Sequence, residues 1–259
     1  MTASPTLATL PLAFDARAIE KRVGLLLLGT DHSTEADFAR LVASPRIGLF
    51  ATRVEYANPV TPENLRRMEP RLTSAAAMIL PEEDLDVVCF SCSSASVVIG
   101  DAAVESAIRR AKPDVPVVTP PLATQQALAA LGTRRISVLT PYTVETSRPM
   151  AAYFEQHGFD IDGFTCLGLD DDREMARISP ASLVEAAVHA TTPGSEALFL
   201  SCTALRAASV VSAIESRTGR PVITSNQATA WACLRHCGIE PRAGSDAGRL
   251  FGLPPGKTF

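Results

Sequence analysis

DLDVVCFSCSSASVVIG, residues 84–100, decides how this chain is read. An apolar run of strand length, residues 85–90, stops abruptly at Ser91-Cys92-Ser93-Ser94, and a second apolar segment rich in small residues follows. That order describes a buried strand running into a tight polar turn and then a helix. The turn sets Cys92 at the carboxyl end of a strand and aims the backbone N–H groups of Ser93 and Ser94 into the same space, which is where open α/β sheets bind ligands. A helix start favours both a thiolate and a bound carboxylate, so the thiol and its neighbouring donors form a chemically useful pair.

Working outward, the device occurs twice. ALFLSCTALRA, residues 197–207, is again an apolar strand that breaks at Ser-Cys before small residues and a helical pattern, and Cys202 takes the place that Cys92 holds in the first half. RVGLLLL (22–28) reads as a first buried strand, followed by a polar turn in which Asp31 or Ser33 caps the next helix. Residues 47–56 form a second strand, and the loop 58–64 feeds a helix with Pro62 in its first turn and apolar positions from Leu65 to Leu80. The helix after Cys92 is expected to run to Lys112, and PVVT (116–119) closes the first half.

The second half restarts with a helix stopped by Gly132 and the strand RISVL (135–139), the counterpart of RVGLL. A long helix ends at His157-Gly158, 159–169 is a strand region, 170–172 an acidic loop and 179–190 a helix. The Cys202 strand, a helix to Thr218-Gly219, PVIT (221–224), a helix containing Trp231 and the tail AGSDAGRLF (243–251) complete the chain. Arg22 precedes Cys92 by 70 positions and Arg135 precedes Cys202 by 67. Like elements in like order predict an α/β fold of two lobes related by a pseudo-twofold axis, each a parallel sheet flanked by helices. The expected division is 22–118 with 225–259 as the first lobe, 119–224 as the second and 1–21 as an N-terminal arm. The two cysteine turns then face each other across one cleft.

Composition narrows the function. With 259 residues, 46% hydrophobic and 20% charged, the chain is long enough for one large domain or two lobes. A net charge of −4 leaves no basic footprint for nucleic acid and no cationic face for membranes. No apolar run reaches the roughly 18–20 residues of a membrane span, and the first residues lack the pattern of a signal peptide. Six cysteines without a secretory signal point to reduced thiols in a cytoplasmic protein. A small molecule is the expected partner; the oligomeric state is left open, a homo-oligomer being one outcome.

Two facing thiols suit one kind of chemistry. A planar carbanion or enediolate beside a carboxylate is open on both faces: a thiolate on one face removes a proton and a thiol on the other returns one, without a cofactor. The carboxylate needs preorganised donors as its charge grows, and the turns offer Ser93 and Ser94 on one side, Thr203 and Ala204 on the other. Alternatively, one cysteine adds to a double bond and the other serves as acid.

These residues bring out a family resemblance. From about Arg22 to Phe251 the chain resembles the aspartate/glutamate racemase superfamily, in particular its arylmalonate decarboxylase and maleate cis-trans isomerase branch. Beyond the cysteine turns the likeness includes VTPE (60–63), TPY (140–142), MAR (175–177) and GRLF (248–251). The sequence is most similar to the ectoine-utilisation group of that branch in SCSSASVVIGD (91–101), RISVLTPYTVETSRPMAAYFE (135–155) and SCTALRA (201–207). The resemblance implies that Ser93 and Ser94 hold a carboxylate or oxyanion and that Tyr142 contacts substrate. Decarboxylase-like relatives carry glycine where Cys92 stands, so the chain looks like the two-cysteine racemases and isomerases. Where maleate isomerases carry asparagine after the first strand, this chain has Asp31, an acid that repels a second carboxylate and suits an amino or ammonium group.

The expectation is therefore a cofactor-independent racemase or isomerase of a small amino-acid-like carboxylate, with Cys92 and Cys202 as acid/base pair and Asp31, Ser93, Ser94, Tyr142, Thr203 and Ala204 around the substrate. Rival readings are a maleate-type isomerase, an arylmalonate-type decarboxylase and a non-catalytic carboxylate-binding protein. No metal is expected: Cys233 and Cys237 lack a partner at metal spacing. Cys89 and Cys166 read as structural, His32 as a loop or cap residue, His157 and His189 as solvated helix-end residues, and Asp170 to Asp172 as a solvated loop. Asp31 divides between helix cap and substrate contact.

Overall fold

The computed structural model describes residues 3–241 and 247–254. Residues 1–2 of the arm, 242–246 of the tail motif and 255–259 of the expected first lobe lie outside the described residues. The first half runs β1 (Lys21–Leu28), α1 (Thr34–Leu41), β2 (Ile47–Val54), α2 (Pro62–Arg66), α3 (Glu69–Ala77), β3 (Val87–Ser91), α4 (Ser93–Ile99), α5 (Asp101–Arg109) and β4 (Val117–Val118). The second half runs α6 (Pro120–Ala130), β5 (Arg135–Tyr142), α7 (Val144–Gln156), β6 (Asp160–Leu169), α8 (Asp172–Met175), α9 (Pro180–Ala190), β7 (Ala197–Leu200), α10 (Val211–Thr218) and β8 (Val222–Thr224). Then come α11 (Ser225–His236) and α12 (Gly248–Phe251).

The strands form two four-stranded parallel sheets, ordered β2-β1-β3-β4 and β6-β5-β7-β8. The identical order is the duplication seen in the sequence. Helices cover both faces, which is why β1, β3 and β7 read as unbroken apolar runs instead of alternating ones. Leu27 lies opposite Ser91 in the first sheet and Leu139 opposite Leu200 in the second. Both cysteine turns therefore leave the carboxyl edge of a central strand. Leu26, Phe90, Leu139 and Leu200 belong to one buried cluster that also holds Cys92 and Cys202. The lobes thus share a core. Two helices cross over between them: α6 packs on α4 as well as on β8, and α11 packs on α1, β3 and α6.

Four expectations of the sequence are corrected. The helix expected from Cys92 to Lys112 is two helices, because Gly100 at φ 94 ends α4 and starts α5. The helix through Leu65 and Leu72 breaks at Met68, where Pro70 in the first turn of α3 supplies no N–H to continue the ladder from α2. β5 continues past Leu139 to Tyr142, with a register shift beside Pro141 where the ladder donor is missing. After Cys202 no α-helix follows directly: a turn and a short 3-10 helix (Arg206–Ser209) come before α10.

Residues 3–15 have no regular structure and leave Leu7, Leu10, Leu12 and Phe14 exposed. No described helix is long and apolar enough to cross a membrane.

Candidate active site

Cys92 is the N-cap of α4, its backbone extended and its thiol 3% exposed. The sulfur accepts the Ala95 N–H and lies 3.7 Å from the Ser94 hydroxyl. The Ser96 hydroxyl donates to the Cys92 carbonyl at 2.7 Å and fixes the turn. The N–H groups of Ser93 and Ser94, in the first turn of α4, have no intrahelical acceptor.

Cys202, also 3% exposed, holds φ at 151, a region that residues with a Cβ rarely occupy. Its sulfur is turned away from solvent. It accepts the Ala204 N–H at 3.3 Å and a hydrogen bond from the Tyr142 hydroxyl. Among the expected second-turn donors, Ala204 N–H is thus turned to the thiol itself, and the Thr203 hydroxyl donates to the Ser91 carbonyl at 3.1 Å.

That last bond joins the two turns directly, and others join them through bridges. Ser93 and Ser225 hydroxyls share a hydrogen bond of 2.7 Å, and the Cys202 N–H donates to Ser225 at 3.1 Å. The Thr203 carbonyl accepts from the Ser33 hydroxyl and from the Asn226 amide, which also donates to Asp37 at 2.9 Å. Thr34 and Ser91 hydroxyls share a further bond. The α1 and α11 starts therefore lock two turns that are 110 residues apart in sequence. Neither Ser225 nor Asn226 stood out in the sequence, where they follow a short strand as ordinary helix-start residues.

Asp31 is engaged within its own turn. One oxygen accepts the N–H groups of Ser33 and Thr34, and the other accepts the Thr34 hydroxyl at 2.6 Å. Of the two roles considered for it, the observed contacts are those of a helix cap. Ser33 forms no side-chain cap bond.

Asp172 is the residue the sequence concealed. The acidic run was expected to be solvated as a whole; Asp170 is exposed and Asp171 pairs with Arg173, but Asp172 is 4% exposed beside Met175 at 0%. The Thr30 hydroxyl donates to its carboxylate at 3.0 Å. On the outer side of α8, His32, Asp171, Arg173, Glu174, Ala176 and Arg177 line an open pocket of about 640 Å³. The same short helix thus has two sides, one burying Asp172 and Met175, the latter in the cluster that holds both thiols, and one carrying its charged residues outside. Tyr56, just after β2, was also missed; its buried hydroxyl has no hydrogen-bond partner among the described residues.

The electrostatics follow from burial. Burial pushes the Cys92 thiol up to about 12; the Ala95 N–H and Ser94 oppose, while Asp172 and Asp31 add to the rise. Cys202 is raised further by burial and by Asp172, with Tyr142 and Ala204 opposing and Cys92 adding. Tyr142 is raised by burial and by both cysteines, and Tyr56 by burial, Asp172 and both cysteines. Asp172 is itself pushed up to about 6, by burial first and then by Asp31 and Asp171, against the Thr30 bond. Two acid-form thiols, two phenols and one carboxyl thus sense one another in one buried cluster. One thiol must lose its proton before the pair can act.

The other candidates are placed elsewhere. His32 is exposed at the rim of the outer pocket, and His157 and His189 are exposed on α7 and α9. All six cysteines are free; Cys89, Cys233 and Cys237 are core residues on β3 and at the end of α11. Among the described residues no group of three or more His, Cys, Asp or Glu is arranged to hold a metal ion.

Known proteins resemble this chain over most of its length. A family model described as arylmalonate decarboxylase matches residues 57–251. The arylmalonate decarboxylase of Bordetella bronchiseptica is 30% identical over 88% of this chain and 95% of its own length. A maleate isomerase of Pseudomonas putida is 25% identical over 85% and 93%. Among solved structures, a cysteine-to-serine variant of the Nocardia farcinica maleate cis-trans isomerase, with a covalently bound succinylcysteine intermediate, superposes with a TM-score of 0.81 over 89% of this chain and 98% of that one, at 23% identity.

Proposed function

The chain belongs to the arylmalonate decarboxylase family, and on that premise we propose that it is a cofactor-independent racemase or isomerase of a small amino-acid-like carboxylate. The observation that carries this reading is the pair of free, buried thiols at corresponding strand ends of a duplicated sheet, tied into one hydrogen-bonded network. In the first step a thiolate takes the α-proton and becomes a thiol, and the electron pair of the C–H bond moves toward the carboxylate. In the second, the opposite thiol gives its proton to the other face and becomes the thiolate. The growing charge on the carboxylate is met by the free N–H groups of the first turn of α4 and by the Ser94 hydroxyl. Tyr142, bonded to the Cys202 sulfur, orients that thiol and stabilises its ionised form.

The likeness of 91–101, 135–155 and 201–207 to the ectoine-utilisation group supports a substrate from ectoine or hydroxyectoine degradation. Six free cysteines are in keeping with a cytoplasmic setting. A second reading is cis-trans isomerisation through a cysteine adduct, favoured by the maleate isomerase relatives.

Solvent deuterium exchange at the α-carbon of 2,4-diaminobutyrate and its acetylated forms is the direct test. Wild type interconverts the two enantiomers with deuterium uptake; Cys92→Ser and Cys202→Ser each abolish the interconversion, leaving at most exchange within one enantiomer. Full activity in either variant refutes the pairing. Mass spectrometry after acid trapping with maleate separates the second reading, which alone leaves substrate mass on a cysteine.

A further inference from the structure

Asp172 takes no part in moving the proton, yet its charge bears on every group that does. Its carboxylate is buried, and among the described residues the Thr30 hydroxyl is its one hydrogen-bond donor. None of the described Lys, Arg or His side chains forms an ion pair with it; neighbouring Arg173 is committed to Asp171. A carboxylate accepts several hydrogen bonds when satisfied, and leaving one buried with a single donor is costly. Asp31, close by, shows the contrast, with both of its oxygens engaged in the α1 cap. The Tyr56 hydroxyl, which senses Asp172 and both thiols, is buried without a partner among the described residues. A carboxylate oxygen with no donor of its own beside an unpartnered phenol suits a ligand group that donates hydrogen bonds.

We propose that Asp172 is the specificity-determining residue of the site: its free oxygen receives the ammonium group of an amino-acid substrate whose carboxylate lies on the donors of the Cys92 turn. This rests on the two-cysteine reading above. The assignment gives the ammonium two effects. It satisfies a buried charge that the protein alone leaves with one donor, and it cancels the negative charge that opposes ionisation of Cys92 and Cys202. The right substrate thereby makes a thiolate easier to form at the moment it is needed. A dicarboxylate placing its second anion over α8 meets repulsion instead.

The test uses Asp172→Asn and Asp172→Glu in the full chain. Binding of 2,4-diaminobutyrate and of maleate is measured by thermal shift in a Cys92→Ser/Cys202→Ser background, so that turnover does not interfere. Asp172→Asn is expected to weaken diaminobutyrate at least tenfold and to strengthen maleate by a similar factor, while Asp172→Glu keeps the amino-acid preference. Without any ligand, iodoacetamide labelling of Cys92 and Cys202 should become at least tenfold faster in Asp172→Asn. An unchanged ratio of the two affinities overturns the proposal, as does a wild-type protein that prefers maleate or binds neither probe. Failure of the underlying reading is seen separately, as interconversion of the enantiomers that survives Cys92→Ser or Cys202→Ser.

Discussion

Replacing Asp172 by asparagine should make the folded protein more stable, and only at one end of the pH scale. The carboxyl rises from 3.8 to about 6 on folding, driven first by burial. A raised carboxyl favours folding in its protonated form. That contribution is fully present below pH 3.8 and is lost as pH climbs through about 6. Above that window the buried anion weakens the fold by about 3 kcal/mol, since each tenfold change in proton affinity corresponds to about 1.4 kcal/mol. Asparagine keeps the size and can still accept the Thr30 bond but carries no charge. Thermal melts followed by circular dichroism should therefore show Asp172→Asn melting about 6–12 °C above wild type at pH 7.5, given about 2–4 °C per kcal/mol for a chain of this size. At pH 4 the two curves should coincide. A variant less stable than wild type at neutral pH, or a difference that does not change between pH 4 and 7.5, refutes the reasoning. The gain in stability would accompany a loss of function, as expected where a site keeps a strained charge for its ligand.

Other consequences can be checked with the same protein. Ser225→Ala removes the hydroxyl that joins Ser93 to the Cys202 N–H; each orphaned buried donor costs about 1–3 kcal/mol, so we expect a melting point lower by at least about 5 °C and loss of α-carbon exchange, and a variant that melts with wild type removes Ser225 from the bridge. Gly248→Ala places a Cβ 2.3 Å from Val211 Cγ1 at φ 70, whereas Gly132→Ala at φ 68 meets open space. In urea denaturation the first should therefore lose at least about 1–3 kcal/mol more than the second, and equal losses contradict the packing of α12 on α10. With its thiol at about 12, Cys92 in the ligand-free protein should react with iodoacetamide at pH 8 roughly a thousandfold more slowly than a free thiol; labelling at the free rate contradicts its burial.

The duplicated sheets and both cysteine turns were legible because parallel strands covered on two faces leave continuous apolar runs, and each run ends at an abrupt Ser-Cys. Helix breaks were harder. Gly100 sits among small residues that read as helix, and only its positive φ makes it a joint. The unlike geometry after Cys202 was hidden for a similar reason, since φ 151 at a cysteine has no signature in composition. Asp31 had the spacing of a cap and makes the bonds of one. Asp172 could not be singled out: three adjacent aspartates look alike, and it is the docking of α8, with Met175 in the core, that buries one and leaves Asp170 in water. Ser225 and Asn226 escaped notice because their partners lie on turns distant in sequence.

The crossing of α6 and α11 makes the two halves interdependent. A fragment ending after β4 would lack the helix that lies on β3, leaving Val87, Cys89 and Val118 without the cover of Ala230 and Leu234 in their shared cluster. The later fragment would carry that helix with its α6 and β8 contacts but without α1 and β3, the partners on its other side. Each half therefore completes the other as a swapped dimer would, except that here both copies are written in a single polypeptide, and the core they share is fixed by covalent continuity rather than by association.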